Sequence, residues 1–108
     1  MTKGLREAQI IVFVKYPGQK MHFDLIDNKL EAFQEIVGGY IECVRLPEKN
    51  VIMIVNEEGK LRGMRHNFYC DDDDIVGPVV FCSAKDDEFC SLIPGAYKHL
   101  VDRFDERK

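Results

Sequence analysis

No apolar run in this 108-residue sequence approaches the roughly 20 residues that cross a bilayer, which excludes a spanning helix. The first residues, MTKGLREAQ, lack the continuous apolar core and small-residue cleavage site of a secretory signal. The expected location is therefore cytoplasmic, with no membrane partner. None of the four cysteines, Cys43, Cys70, Cys82 and Cys90, belongs to a C-x-x-C pair. They are expected to be reduced, with Cys43 and Cys82 acting as small hydrophobes inside strands. Basic residues are outnumbered, 15 against 19 acidic, for a net charge of −4 and a pI near 5.3. Direct nucleic-acid binding, which needs a basic stripe, is not expected. There is no internal repeat and no low-complexity linker, so residues 1–108 read as one domain whose first eight residues fray.

Signatures of chemistry are equally scarce. No G-x-S-x-G elbow is present. His66 and Cys70 have the right types for a base and a thiolate, but one such pair in one loop arises readily by chance. Their H-x-x-x-C spacing is not that of a zinc knuckle. The run Asp71–Asp74 lacks the central glycine and terminal glutamate of a calcium-binding EF-hand loop. Gly38-Gly39 ends a helix, whereas a phosphate cradle needs glycine before one. No catalytic residue, metal or cofactor is expected, and the chain reads as a non-enzyme.

What is present is architecture. The apolar fraction, 45%, suits an ordinary core. Gln9 to Lys15 reads as a strand, Tyr16-Pro17-Gly18-Gln19 as a type II turn, and Lys20 to Ile26 as a half-buried strand alternating Met21, Phe23 and Leu25 with polar residues. Asp27 or Asn28 is expected to cap a helix carrying Leu30, Phe33, Ile36 and Val37, which Gly38-Gly39 stops. Tyr40–Leu46 and Val51–Val55 read as strands, the second buried on both faces. In the turn between Asn56 and Lys60, Gly59 suits positive φ, and Lys60–Gly63 suits a short strand. Met64–Asp74 shows no period and reads as an irregular loop. Ile75–Ser83 reads as one strand, with Gly77-Pro78 marking a bulge or edge. A last helix starts near Ile93 or Pro94, with Ala96, Tyr97, Leu100, Val101 and Phe104 as its apolar stripe. The fold class is α+β: an antiparallel or mixed sheet of about five strands with two helices packed on it, in the order β-β-α-β-β-β-α.

Two motifs, VGGYIE at Val37–Glu42 and NEEGKL at Asn56–Leu61, together with Asn67, Gly77 and the Phe89–Leu92 run, resemble a family of small domains of unknown function (3846-like). The resemblance spans roughly Gln9 to Phe104. It departs at Ile93-Pro94, where the family tends to show a polar helix cap, and at the acidic run Asp71–Asp74. The family has no established catalytic residues to carry over. Its members occur largely in bacterial phages, plasmids and integrative elements, so the resemblance implies an accessory protein of a mobile element. In that setting small acidic proteins often block host machinery such as nucleic-acid-binding defence proteins.

The expected function is therefore partner binding by the segment where regularity stops. Arg65, His66, Phe68 and Tyr69 supply residue types common at interface centres. Asp71, Asp72, Asp73 and Asp74 supply charge that steers a basic protein partner, and they suit a merely solvated loop as well. Phe68 and Tyr69 equally suit the end of a core. Two further readings are a self-associating domain, with a homodimer formed by an edge strand near Gly77-Pro78, and a small-molecule or nucleotide binder.

Overall fold

A computed structural model of the chain describes residues 8–105; the fraying expected of Met1 to Glu7 lies outside the described residues. Strands β1 (Gln9–Lys15) and β2 (His22–Asp27) form the first hairpin, closed by Gln19 N–H donating to the Tyr16 carbonyl at 3.0 Å. Helix α1 (Leu30–Val37) follows and stops where Gly38 takes the left-handed conformation, φ +83°. Its N-cap is Lys29, without a side-chain bond. Asn28, one of the expected caps, instead donates its amide to the Phe89 carbonyl at 3.0 Å and ties the helix entry to the sheet.

Strands β3 (Ile41–Arg45) and β4 (Ile52–Asn56) form a second hairpin. Strands β5 (His66–Cys70) and β6 (Asp73–Val76) form a third. Then come β7 (Val79–Lys85), β8 (Glu88–Cys90) and helix α2 (Ala96–Phe104). The main sheet runs β2-β1-β7-β4-β3 with β8 also paired to β7, every neighbouring pair antiparallel; β5 and β6 form a separate two-stranded sheet.

Both faces of the main sheet are covered near its centre. On one face Ile10, Val12, Val14, Ile52, Ile54, Val80 and Cys82 pack under Phe33 and Val37 of α1. On the other, Phe13, Met53 and Phe81 pack under α2 and the β5–β6 hairpin. There Phe68, Phe81 and Phe104 stack, with Phe68 and Phe104 centroids 4.4 Å apart. Burying each ring stabilises the fold by roughly 2–3 kcal/mol. Strand β4, VIMIV, is buried on both faces as its composition requires.

Four local readings are corrected. Gly77, at φ +74°, turns the chain sharply, so Ile75–Ser83 is not one strand but the end of β6 and most of β7. Gly77-Pro78 thus leads into the central strand and offers no edge. Gly59 has ordinary φ; its need is space, because a Cβ there would sit 3.0 Å from Val76 Cγ2. Lys60–Gly63 is a pair of turns, with Arg62 N–H bonded to the Glu58 carbonyl at 2.9 Å. Met64–Asp74 contains β5 and the start of β6. A register shift between His66 and Phe68 turns both Asn67 and Phe68 inward and hides the period of two. The α+β class and the two helices stand; the described residues hold eight strands, three more than expected.

Candidate functional site

The residues named from the sequence fall on the β5–β6 hairpin, and most are held by the protein itself. Phe68 is fully buried. Arg65 lies across the first turn, so close that a Cβ on Gly18 would meet its guanidinium at 2.7 Å. Tyr69 is 58% exposed and packs on the His66 ring at 4.7 Å. His66 Nδ1 lies 2.5 Å from Asp74 Oδ1. Lys60 is paired with Asp73, which raises its pKa first through the hydrogen bond. Asp71 lies 4.0 Å from Arg103, whose Nη1 also donates to Glu48 at 2.5–2.7 Å. Asp71, at φ +55°, sits with Asp72 in the hairpin turn. Asp71 and Asp73 thus lie beside the cations Arg103 and Lys60, and Asp74 beside the His66 ring, so the run is partly neutralised.

The two motifs meet in space. Asn56 donates its amide to the Val37 carbonyl at 3.0 Å and accepts from Glu58 N–H at 2.7 Å. Arg62 donates to the Gly38 carbonyl at 2.9 Å, and Glu57 N–H to the Tyr40 carbonyl at 2.8 Å. A Cβ on Gly39 would lie 2.9 Å from the Asn56 amide, so only glycine leaves that amide in place. Asn67 makes a second clasp: its amide donates to the Lys15 and Gly77 carbonyls at 2.8 Å each and its oxygen accepts from Lys15 Nζ at 2.9 Å. These residues join elements and leave no reactive group pointing outward.

A different surface is open. Register pairs Ile11 with Leu25 and Phe13 with Phe23, all on the α2 side of the sheet. Helix α2 covers Phe13 but leaves the other three half exposed. Ile11 is 49%, Phe23 52%, Leu25 58% and Tyr97 45% exposed. Phe23 stacks on Phe13 at 4.6 Å and meets Tyr97 edge-on at 5.5 Å, so the four exposed side chains form one patch. Two of the four, Phe23 and Leu25, lie on β2, an edge strand of the main sheet; Ile11 lies beside them on β1 and Tyr97 on α2.

The model of the family described as domain of unknown function (DUF3846) matches residues 10–105. This chain belongs to the DUF3846 family. No curated protein and no solved structure matches it. The motif residues that carry the family likeness are thus, in this DUF3846 domain, the structural clasps.

The remaining candidates are modest. A crevice of about 200 Å³ lies between β3–β4 and the β5–β6 hairpin, lined by Glu42, Val55, Lys60, Leu61, Asp74 and Ile75. A more open groove of about 460 Å³ lies beside the start of α2, at Val51, Ile93, Ala96 and His99. Among the described residues no group of three His, Cys, Asp or Glu is placed to hold a metal. None of the four cysteines is in a disulfide. Partial burial raises the Cys70 thiol more than nearby Arg103, with Nη2 3.7 Å from Sγ, lowers it. Burial pushes the Cys82 thiol up further. Cys43, expected in the core, is exposed, because it lies on β3 beyond the cover of α1. No described helix is long and apolar enough to cross a membrane.

The sequence did carry a signal for the open face. Strand β1 is apolar on both sides, and β2 adds Phe23 and Leu25 to one of them. Two helices of eight and nine residues cannot cover both sides of such a sheet. A helix with side chains is ~10–12 Å wide, and five paired strands span roughly 20–25 Å.

Proposed function

We propose that this DUF3846 domain is a protein-binding module without chemistry of its own, and that it binds through the β1–β2 face. The observation that carries this reading is the contiguous patch of Ile11, Phe23, Leu25 and Tyr97 at the β2 edge of the sheet. Exposed apolar area of that kind marks interaction sites, because leaving it in water costs free energy that a partner recovers. The mobile-element setting and cytoplasmic location implied earlier belong to the same proposal. An accessory protein with a net charge of −4 suits the occlusion of a basic host protein, such as one that handles nucleic acid. A second reading places the partner on the β5–β6 hairpin. It is favoured by the exposure of Tyr69 beside the turn at Asp71 and Asp72.

Three tagged chains separate the two readings in one pull-down from host lysate: the natural chain, F23S/L25S, and a chain with Asp71–Asp74 replaced by asparagine. A partner lost only with F23S/L25S supports the β1–β2 face. A partner lost only with the asparagine chain moves the site to the hairpin. A partner retained by both overturns both assignments.

A further inference from the structure

Resting on the reading of β1–β2 as the binding face, we infer that its occupant is a second copy of this chain and not a basic host protein, added antiparallel along β2 with Leu25 on the dyad.

The parity of the ladder gives the first support. Asn28 N–H donates to the Ala8 carbonyl at 3.0 Å, in the same register that pairs Val12 with Asp24 and Val14 with His22. Hydrogen-bonded and non-bonded pairs alternate along an antiparallel ladder. Even-numbered residues of β2 therefore turn their N–H and C=O toward β1, and odd-numbered Phe23 and Leu25 turn theirs outward. Among the described residues no strand pairs with that outer side. The strand carries no proline or bulge that would blunt such an edge.

The ends of the edge then limit the register. At one end, Met21 N–H faces Asp105 Oδ2 at 3.4 Å, so a partner strand centred on Phe23 would run into the end of α2. A pairing centred on Asp24 would set two Asp24 carboxylates directly opposite each other, which is destabilising. Centring on Leu25 avoids both. It sets Asp24 against the second copy's Ile26 and Phe23 against its Asp27. It also joins Ile11 and Leu25 to Leu25 and Ile11 of the second copy in one unbroken apolar row, since Ile11 already sits opposite Leu25. A two-fold pairing of this kind is isologous and closes on itself, so it makes dimers and not fibres.

Two measurements test the inference. The first is sedimentation equilibrium of the natural chain from micromolar to near-millimolar concentration, beside F23S/L25S. The second is mild oxidation of Leu25→Cys and of Phe23→Cys, with disulfide-linked peptides mapped by mass spectrometry. Hydrogen-bonded opposite residues have Cα atoms ~5.5 Å apart, within the span a disulfide bridges. The expected result is a mass that doubles with concentration for the natural chain, stays single for F23S/L25S, and a 25–25 link without a 23–23 link. A natural chain that stays monomeric overturns the second-copy inference. A dimer that persists in F23S/L25S overturns it too, as does a 23–23 link in place of 25–25. A natural chain that stays monomeric but captures a host protein that F23S/L25S loses keeps β1–β2 as the binding face and overturns only the second copy; a monomer whose captured partner is indifferent to F23S/L25S overturns both.

Discussion

The two flanks of this sheet use the same kinds of residue to opposite ends. At the β5–β6 hairpin, aromatic, acidic and basic side chains look from the sequence like an interface; the fold buries Phe68 and engages most of the others in contacts of their own while leaving them at the surface. Phe68 is inside the aromatic stack, Arg65 lies over a turn, Asp71 and Asp73 lie beside Arg103 and Lys60, and Asp74 lies beside the His66 ring. At β1–β2, Phe23 and Leu25 look like ordinary inward residues of an alternating strand, yet about half of each faces water. Residue type alone does not tell an interface from a core. The cover available from the rest of the chain does.

The largest expected contrast is between two phenylalanines. Phe68→Ala should lower unfolding free energy by about 3–5 kcal/mol, because it opens a cavity in a closed stack. Phe23→Ser should cost less than about 1 kcal/mol, as a half-exposed site without buried polar partners. Denaturant titrations of both variants check this; equal losses would erase the distinction between the flanks. Next, Asn67→Ala removes three hydrogen bonds at the clasp between β1, β5 and Gly77 and should cost about 2–3 kcal/mol.

How far the sequence revealed each flank follows from local physics. The first hairpin, α1 and β4 were legible, because alternation, a left-handed stop at Gly38 and an unbroken apolar run are all local signals. β5 was not, because the bulge at Asn67 places two successive residues inward. β8 was not, because three residues entered through Asp86 and Asp87, both at positive φ, carry no period. The exposure of Phe23 and Leu25 depends on where α2 ends, which is a tertiary fact. Of the residues named as a site only Phe68 is buried, while Phe23 and Leu25, which alternation assigns to an inward face, are about half exposed.

A smaller effect sharpens the view that β7 is sealed on both faces. Burial raises the Cys82 thiol, so the folded chain keeps its proton while the unfolded chain loses it. That contribution to stability is complete below the ordinary thiol value of 9.0 and declines as pH rises beyond it. The decline should approach about 1.4 kcal/mol per pH unit for this one group. Urea titrations across that range should show a shallower alkaline loss for Cys82→Ala; identical slopes would mean the thiol is not sealed. The smallest effect belongs to the acidic run. Replacing Asp71–Asp74 by asparagine should change stability by less than about 1 kcal/mol, since the ion pairs there are exposed. A larger loss would show that the hairpin end is a structural ion-pair network.

The pairing of two copies through β1–β2 is tested most directly by backbone amide NMR of the natural chain as its concentration is raised. Progressive shifts should fall on Phe23 to Asp27, Ile11 and Tyr97, with amides of Phe23 and Leu25 gaining protection from exchange. Shifts confined to Tyr69–Asp74, or none at any concentration, would contradict it.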